Sequence, residues 1–197
     1  MTLLRLETDL FPTDVFELSE TAVPWWVSYV RSRQEKALAR HLVRVGVPFY
    51  LPLHEKRVRR AGRQFVSHLP LFPSYVFCRG RGEERLAALR TNLVCHILEV
   101  AQQEVLTGEL AQLRFLQESG ASLAPHPALA PGEAVRVTQG PFEGYVGVVV
   151  RSGGRPRLVV SISMLRKAVA VEFDREALAP VYTGLRPALA PRRAVNA

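Results

Sequence analysis

A break in periodicity at GASLAPHPALAP, residues 120–131, limits what this chain can fold into more than any other feature. Its three prolines and few charges suit a semi-rigid spacer between domains. Before it, strand-like and helix-like runs alternate; after it, every run has a period of two. A chain of 197 residues divided there gives two small units, each near the lower limit for an independent core.

The later half alternates at Val135 and Val137, at Val146, Val148 and Val150, at Leu158, Val160 and Ile162, and at Val169, Val171 and Phe173. Turn signals at GPFEG and SGGRP separate these runs. About five short strands in roughly 50 residues predict a small barrel rather than an open sheet. The basic, Pro- and Ala-rich end, residues 182–197, reads as a tail.

In the earlier half, WWVSYV (Trp25–Val30) reads as a strand feeding a helix. Ser32 followed by Glu35 has capping-box spacing, and EKALARHLVRVG places Ala37, Leu38, His41, Leu42 and Val45 at helical intervals before Gly46 stops the helix. Arg33, Lys36, Arg40 and Arg44 fall on its polar side with only Glu35 to balance them. Strands follow from Phe49 to about Lys56, at QFVSHLP and at PLFPSYVF, with a basic turn at Gly62. ERLAALR reads as a short helix and VCHILEV as a strand. EVLTGELAQLRFLQESG is a long helix with Leu106, Leu110, Leu113 and Leu116 along one side. Helices interspersed with an antiparallel meander predict an α+β sandwich.

Charge sets the class of partner. With 26 Lys and Arg against 18 Asp and Glu, the net charge of +8 favours nucleic acid first and an anionic membrane surface second. No run approaches the ~20 apolar residues of a membrane span. Residues 1–24 resemble neither a secretory signal nor a transit peptide and are expected to be an extension, with Phe11 and Phe16 able to dock it on the body. Cys78 and Cys95 are too few for a disulfide framework and form no CxxC pair, so both are expected as small buried thiols of a cytoplasmic protein. There is no GxSxG, phosphate-binding loop or HExxH, and the five histidines are scattered. Cys95 and His96 are neighbours on a strand and point to opposite faces. The chain is therefore expected not to be an enzyme and to carry no cofactor or metal.

The order WWVSYV, EKALARHL, YLPLHEKRV, PLFPSYVF and then, beyond the spacer, PGEAVRVTQGPFEGYVGVVV and RLVVSISMLRKAVAVEF resembles the NusG family of transcription elongation and antitermination factors. The likeness covers about Trp25 to Val181 and is most specific at PLFPSYVF and at the pair GPFEGYVG and VVSISMLRKAVAVE. The spacer looks more like specialised paralogues of the RfaH, UpxY and LoaP kind. The resemblance implies an NGN-type α/β sandwich over 25–119, a linker over 120–130 and a five-stranded KOW β-barrel over 131–181.

It also implies a function: binding RNA polymerase, suppressing pausing or termination, and recruiting a further partner through the KOW domain. The aromatic depression that grips the clamp coiled coil of the largest polymerase subunit would be Tyr29, Phe72, Pro73, Tyr75 and Phe77, with Val76 in the core and the rings partly exposed. Contacts to the non-template DNA strand fall at Arg31, His41 and Arg44, with Arg33 and Arg40 as neighbours. The KOW partner, a ribosomal protein or a termination factor, would meet Phe142, Met164 and Leu165. The protein is expected to be a monomer. Ser74 stands where the family has Gly or Asn before the tyrosine of FPxY, and Glu83 to Leu86 replace the His-Thr-Thr patch of RfaH. The density of valine and glycine in the barrel segment predicts a constitutive barrel. The alternative from another class is a KOW-containing RNA-binding or ribosome-assembly protein with the PLFPSYVF face buried.

Overall fold

The computed structural model describes residues 8–60, 63–121, 123–126, 133–138, 144, 146–152, 155–165, 167–172 and 178–180. The chain forms two compact units, Met1–Thr107 and Gly108–Ala197. Both are mixed or β structures with antiparallel sheets, as the sequence leads one to expect.

The first unit is organised by a five-stranded antiparallel sheet in the order β1-β3-β6-β2-β7. Its strands are β1 (Leu10–Phe11), β2 (Trp25–Val30), β3 (Phe49–Tyr50), β6 (Tyr75–Arg79) and β7 (Val94–Glu99). Helices α1 (Glu35–Arg44) and α2 (Gly82–Leu89) complete this layer. Alternation gives β2 and β6 two apolar faces. On one, Trp26, Val30, Val76, Cys78 and Phe49 form a core cluster with Leu38, Ala39 and Leu42 of α1 and Ala88 of α2. Each such large side chain contributes about 1.5–3 kcal/mol by leaving water. Gly46 ends α1 as expected: at φ 72° it lets its N–H reach Val43 O (3.3 Å) while Val47 N–H reaches Leu42 O (2.9 Å). That pair of bonds is the Schellman closure.

Residues 8–24 are a structural part of the unit and not a loose extension: β1 adds an edge strand, and the segment that follows it covers the opposite face of the sheet. Leu10 and Phe11 pair with Tyr50 and Phe49. Phe16 lies 5.3 Å from the Tyr50 ring and 5.9 Å from the Trp25 ring, so both expected anchors dock. The third device is absent from any sequence pattern. Arg79, fully buried, donates from Nε to Val23 O (2.7 Å), from Nη1 to Val15 O (2.7 Å) and from Nη2 to Leu18 O (2.8 Å). Its guanidinium also sits 4.8 Å over the Trp25 ring. Burial pulls the Arg79 pKa below its ordinary value, against the opposing charge of Glu20. Three turn carbonyls that would otherwise be orphaned are thereby satisfied by one rigid donor fork.

Pro52 interrupts the expected run from Phe49, so β4 (Leu53–Arg60) leaves the main sheet and pairs with β5 (Arg63–Pro70) as a separate two-stranded ribbon. Of the two thiols expected to be buried, Cys78 is and Cys95 is not. Cys78 is buried, and desolvation pushes its pKa up to about 12, although a hydrogen bond from Ser28 pulls the other way. Cys95 is exposed because it lies on an edge strand at a bulge: Tyr29 opposes His96 and Val30 opposes Val94, leaving Cys95 with no residue opposite.

Helix α3 (Gln103–Glu118) contains the sequence boundary between the two units, and its Leu106, Leu110, Leu113 and Leu116 are all buried, as their spacing predicts. The second unit is a six-stranded antiparallel sheet in the order β13-β9-β10-β11-β12-β8. The strands are β8 (Leu123–His126), β9 (Glu133–Val137), β10 (Val146–Ser152), β11 (Arg155–Ile162), β12 (Lys167–Glu172) and β13 (Leu178–Pro180). Two strands exceed the expected alternating runs. β8 comes from the stretch read as spacer, and both β8 and β13 contain proline, which the ends of a sheet tolerate because one edge needs no ladder donor. A short 3-10 turn, Ser163–Leu165, joins β11 to β12.

A candidate site of an aromatic row and a basic helix

Tyr75 on β6 is paired with Tyr29 on β2, and Tyr29 with His96 on β7. Three rings therefore form one row across adjacent strands at the end of the sheet face farthest along β2 from Trp25 and Arg79. Tyr29 meets Tyr75 edge-on at 5.3 Å and stacks on His96 at 4.7 Å. The two tyrosines are half-buried and His96 is exposed. Rigid aromatic groups held by cross-strand pairing suit a protein contact, since they bury area at little rotamer cost.

The expected partial exposure of Phe72 and Phe77 does not hold. Phe72 is 2% and Phe77 0% exposed, and the two rings pack at right angles 5.8 Å apart inside the core. Phe77 follows Tyr75 on the same face but pairs with Val27 and Tyr50 in the middle of the sheet, where no surface remains. Val76 is buried as expected, and Pro73 is exposed. Of the five expected residues, the structure thus joins Tyr29 and Tyr75 in an accessible row and places Pro73 in the adjoining turn. His96, which sequence reasoning passed over, completes the row; only the strand pairing of VCHILEV with WWVSYV reveals it.

Two tight turns flank the row. Tyr75 N–H donates to Phe72 O (3.1 Å), with Pro73 second in the turn and Ser74 third at φ 70°. That is a type II pattern, whose third position favours Gly or Asn. Gln34 N–H donates to Arg31 O (3.1 Å) around Arg33 at φ 65°. The expected capping box is therefore absent: Ser32 lies within this turn, Gln34 takes the N-cap position, and no side chain caps α1. Glu35, 5% exposed, instead accepts the Ser74 N–H at 2.7 Å through Oε1. A backbone donor left bare by the turn outcompetes the helix end.

The nucleic-acid candidates lie on α1 and the turn before it. Arg31, Arg33, Arg40 and Arg44 are exposed and His41 is half-buried. Lys36, Arg40 and Arg44 recur every fourth residue and so share one stripe of the helix. Arg44 Nη2 lies 3.4 Å from His41 Nδ1. The ribbon adds exposed Lys56, Arg57 and Arg59. On α2, Glu84 accepts the Arg81 N–H at 2.8 Å, so part of the Glu83 to Leu86 patch is occupied in holding the helix start. In the second unit Met164 and Leu165 are half-buried in the 3-10 turn, and Phe142 lies outside the described residues. Among the described residues no group of three His, Cys, Asp or Glu side chains could hold a metal ion, and no helix is long and apolar enough to cross a membrane.

Residues 24–113 match the family model described as transcription termination factor nusG. The chain is 28% identical over 135 residues to the transcription termination/antitermination protein NusG of Buchnera aphidicola, covering 63% of this chain and 72% of that protein. It is 42% identical over 65 residues to the NusG protein of Yersinia pestis, covering 32% of this chain and 36% of that one. A chain from the solved MjSpt4:Spt5 complex aligns over 80% of this chain and 96% of its own length at 14% identity and a TM-score of 0.25. Residues 24–113 thus carry a domain of the NusG family, and the chain is similar to NusG termination/antitermination proteins.

Proposed function

We propose that this protein is an elongation factor that docks on RNA polymerase through the Tyr75, Tyr29 and His96 row and suppresses pausing or termination. The observation that carries the reading is the row itself: Tyr29 and Tyr75 are half-buried and His96 exposed, whereas Trp25, Trp26, Phe49, Tyr50 and Phe77 of the same sheet are buried, and interface centres favour such accessible aromatic anchors. The surface it fits is the coiled coil of the polymerase clamp. Arg31, Arg33, Arg40, His41 and Arg44 would track the non-template strand, with Lys56, Arg57 and Arg59 of the ribbon adding phosphate contacts. The β9 to β12 region would be the KOW module, taking a ribosomal protein or termination factor at Met164, Leu165 and Phe142. The protein would act in the cytoplasm as a specialised paralogue.

The test is binding of the full chain to core RNA polymerase. Tyr75→Ala and Tyr29→Ala are expected to weaken it about tenfold or more without unfolding the protein, as loss of an interface anchor does. Phe72→Ala is not a test of contact, because its ring is in the core. Wild-type affinity in both tyrosine variants would transfer support to the RNA-binding alternative.

A further inference from the structure

We infer that Glu35 is a positioning residue that holds the aromatic row and the basic helix in register, an inference that rests on the reading of those two surfaces given above. Ser74 is gripped on both sides of its peptide unit by the segment joining β2 to α1. Its N–H donates to Glu35 Oε1 at 2.7 Å, and its carbonyl accepts the Val30 N–H at 2.8 Å. Tyr75 follows Ser74 and Tyr29 precedes Val30, so these two bonds fix both tyrosines of the row from beneath. Glu35 is also the first residue of α1, and directly follows the turn that carries Arg31 and Arg33. Movement of its carboxylate therefore reaches the cationic stripe as well as the rings.

Two observations show that the arrangement is held and not merely relaxed into. Ser74 and Arg33 both occupy the left-handed region, at φ 70° and 65°, where a side chain is disfavoured and persists only if surroundings over-determine it. Glu35 is a carboxylate with 5% of its surface in water. A charge so placed needs compensation, which the charge-assisted bond to Ser74 and the positive end of α1 supply.

The experiment compares full-length Glu35→Ala and Glu35→Gln for three quantities: Ser74 amide exchange by NMR, affinity for core RNA polymerase, and affinity for a single-stranded oligonucleotide. In Glu35→Ala the Ser74 amide exchanges about tenfold faster, and both affinities fall about tenfold, the scale of one lost charge-assisted bond. Tyr75→Ala lowers only the polymerase affinity and Arg40→Ala only that for DNA, so the double loss is the signature of register. Glu35→Gln retains an oxygen acceptor and restores most of each quantity. Adding Ser74→Gly to Glu35→Ala also restores both affinities, because glycine accepts the positive φ without the carboxylate. Should Glu35→Ala fail to fold, Glu35→Asp, one methylene too short to reach, carries the same expectations. Unchanged Ser74 protection, or loss of one affinity alone, overturns the inference. If the wild-type chain binds neither polymerase nor DNA, the proposed function fails, while the exchange rate still decides whether Glu35 holds the turn.

Discussion

Phe77 lies in the five-stranded sheet with none of its surface in solvent, whereas Phe65, earlier in the chain, lies in the two-stranded ribbon with 43% exposed. Both are aromatic residues on antiparallel strands, and both face an apolar partner across the ladder: Val27 for Phe77, Val58 for Phe65. The difference is in what lies above them. The main sheet has α1 and α2 on one face, and on the other the segment that follows β1 together with Phe72, whose ring packs on Phe77. In the ribbon, Phe65 and Leu69 remain exposed on the face that also carries Lys56, while Arg57 and Arg59 alternate to the other face. A two-stranded ribbon has little stability of its own, so its side chains are free to serve contact. Layering, not residue type, decides which aromatic groups become core.

The sharpest way to break this comparison is to truncate both rings. Phe77→Ala is expected to cost about 3–5 kcal/mol in chemical denaturation, as for a buried aromatic, and Phe65→Ala less than about 1 kcal/mol, as for a surface site. Equal losses would mean that the ribbon is packed after all. A smaller effect is expected from Arg57→Gln with Arg59→Gln. Stability should stay constant, since the exposed Arg57 to Glu55 pair at 3.3 Å contributes little. The slope of log affinity against log salt for single-stranded DNA should shrink by about 1.4, at about 0.7 per phosphate contact. An unchanged slope would remove the ribbon from the nucleic-acid surface.

The smallest effect lies where ribbon and core meet. Leu53 is buried, His54 half-buried and Glu55 exposed. Burial lowers the His54 pKa from its ordinary 6.5, with the backbone at Glu55 opposing and Lys56 adding to the shift. Because the folded pKa is the lower one, the unfolded chain takes up the proton first. Stability should fall as pH drops through about 6.5 toward the folded value. Thermal melts at pH 7.5 and 5.5 should show a smaller decline in His54→Gln than in the wild type; identical declines would show that His54 is solvated like the rest of the ribbon.

The elements whose signals are local were legible. WWVSYV, the α1 pattern with its Gly46 stop, and the four leucines of α3 are found where their spacing puts them. What escaped depends on partners distant in sequence. Ser32 and Glu35 have capping-box spacing, but the Ser74 N–H, 39 residues from Glu35, claims the carboxylate. Phe72 and Phe77 look like neighbours of Tyr75 in a linear reading, and only the two-sided cover of the sheet separates them. β8 and β13 were hidden because proline argues against a strand, except at the ends of a sheet. His96 escaped because its place beside Tyr29 comes from pairing between two strands.

The buried Arg79 fork has a practical corollary. The family match begins at residue 24, yet the carbonyls that receive the guanidinium belong to Val15, Leu18 and Val23. Homology thus marks a cutting point that lies inside a cooperative piece of the protein. Anyone grafting this module onto another chain, or trading it for that of a relative, must transplant residues 8–24 with it. Otherwise the recipient inherits an arginine whose evolved sockets were left behind.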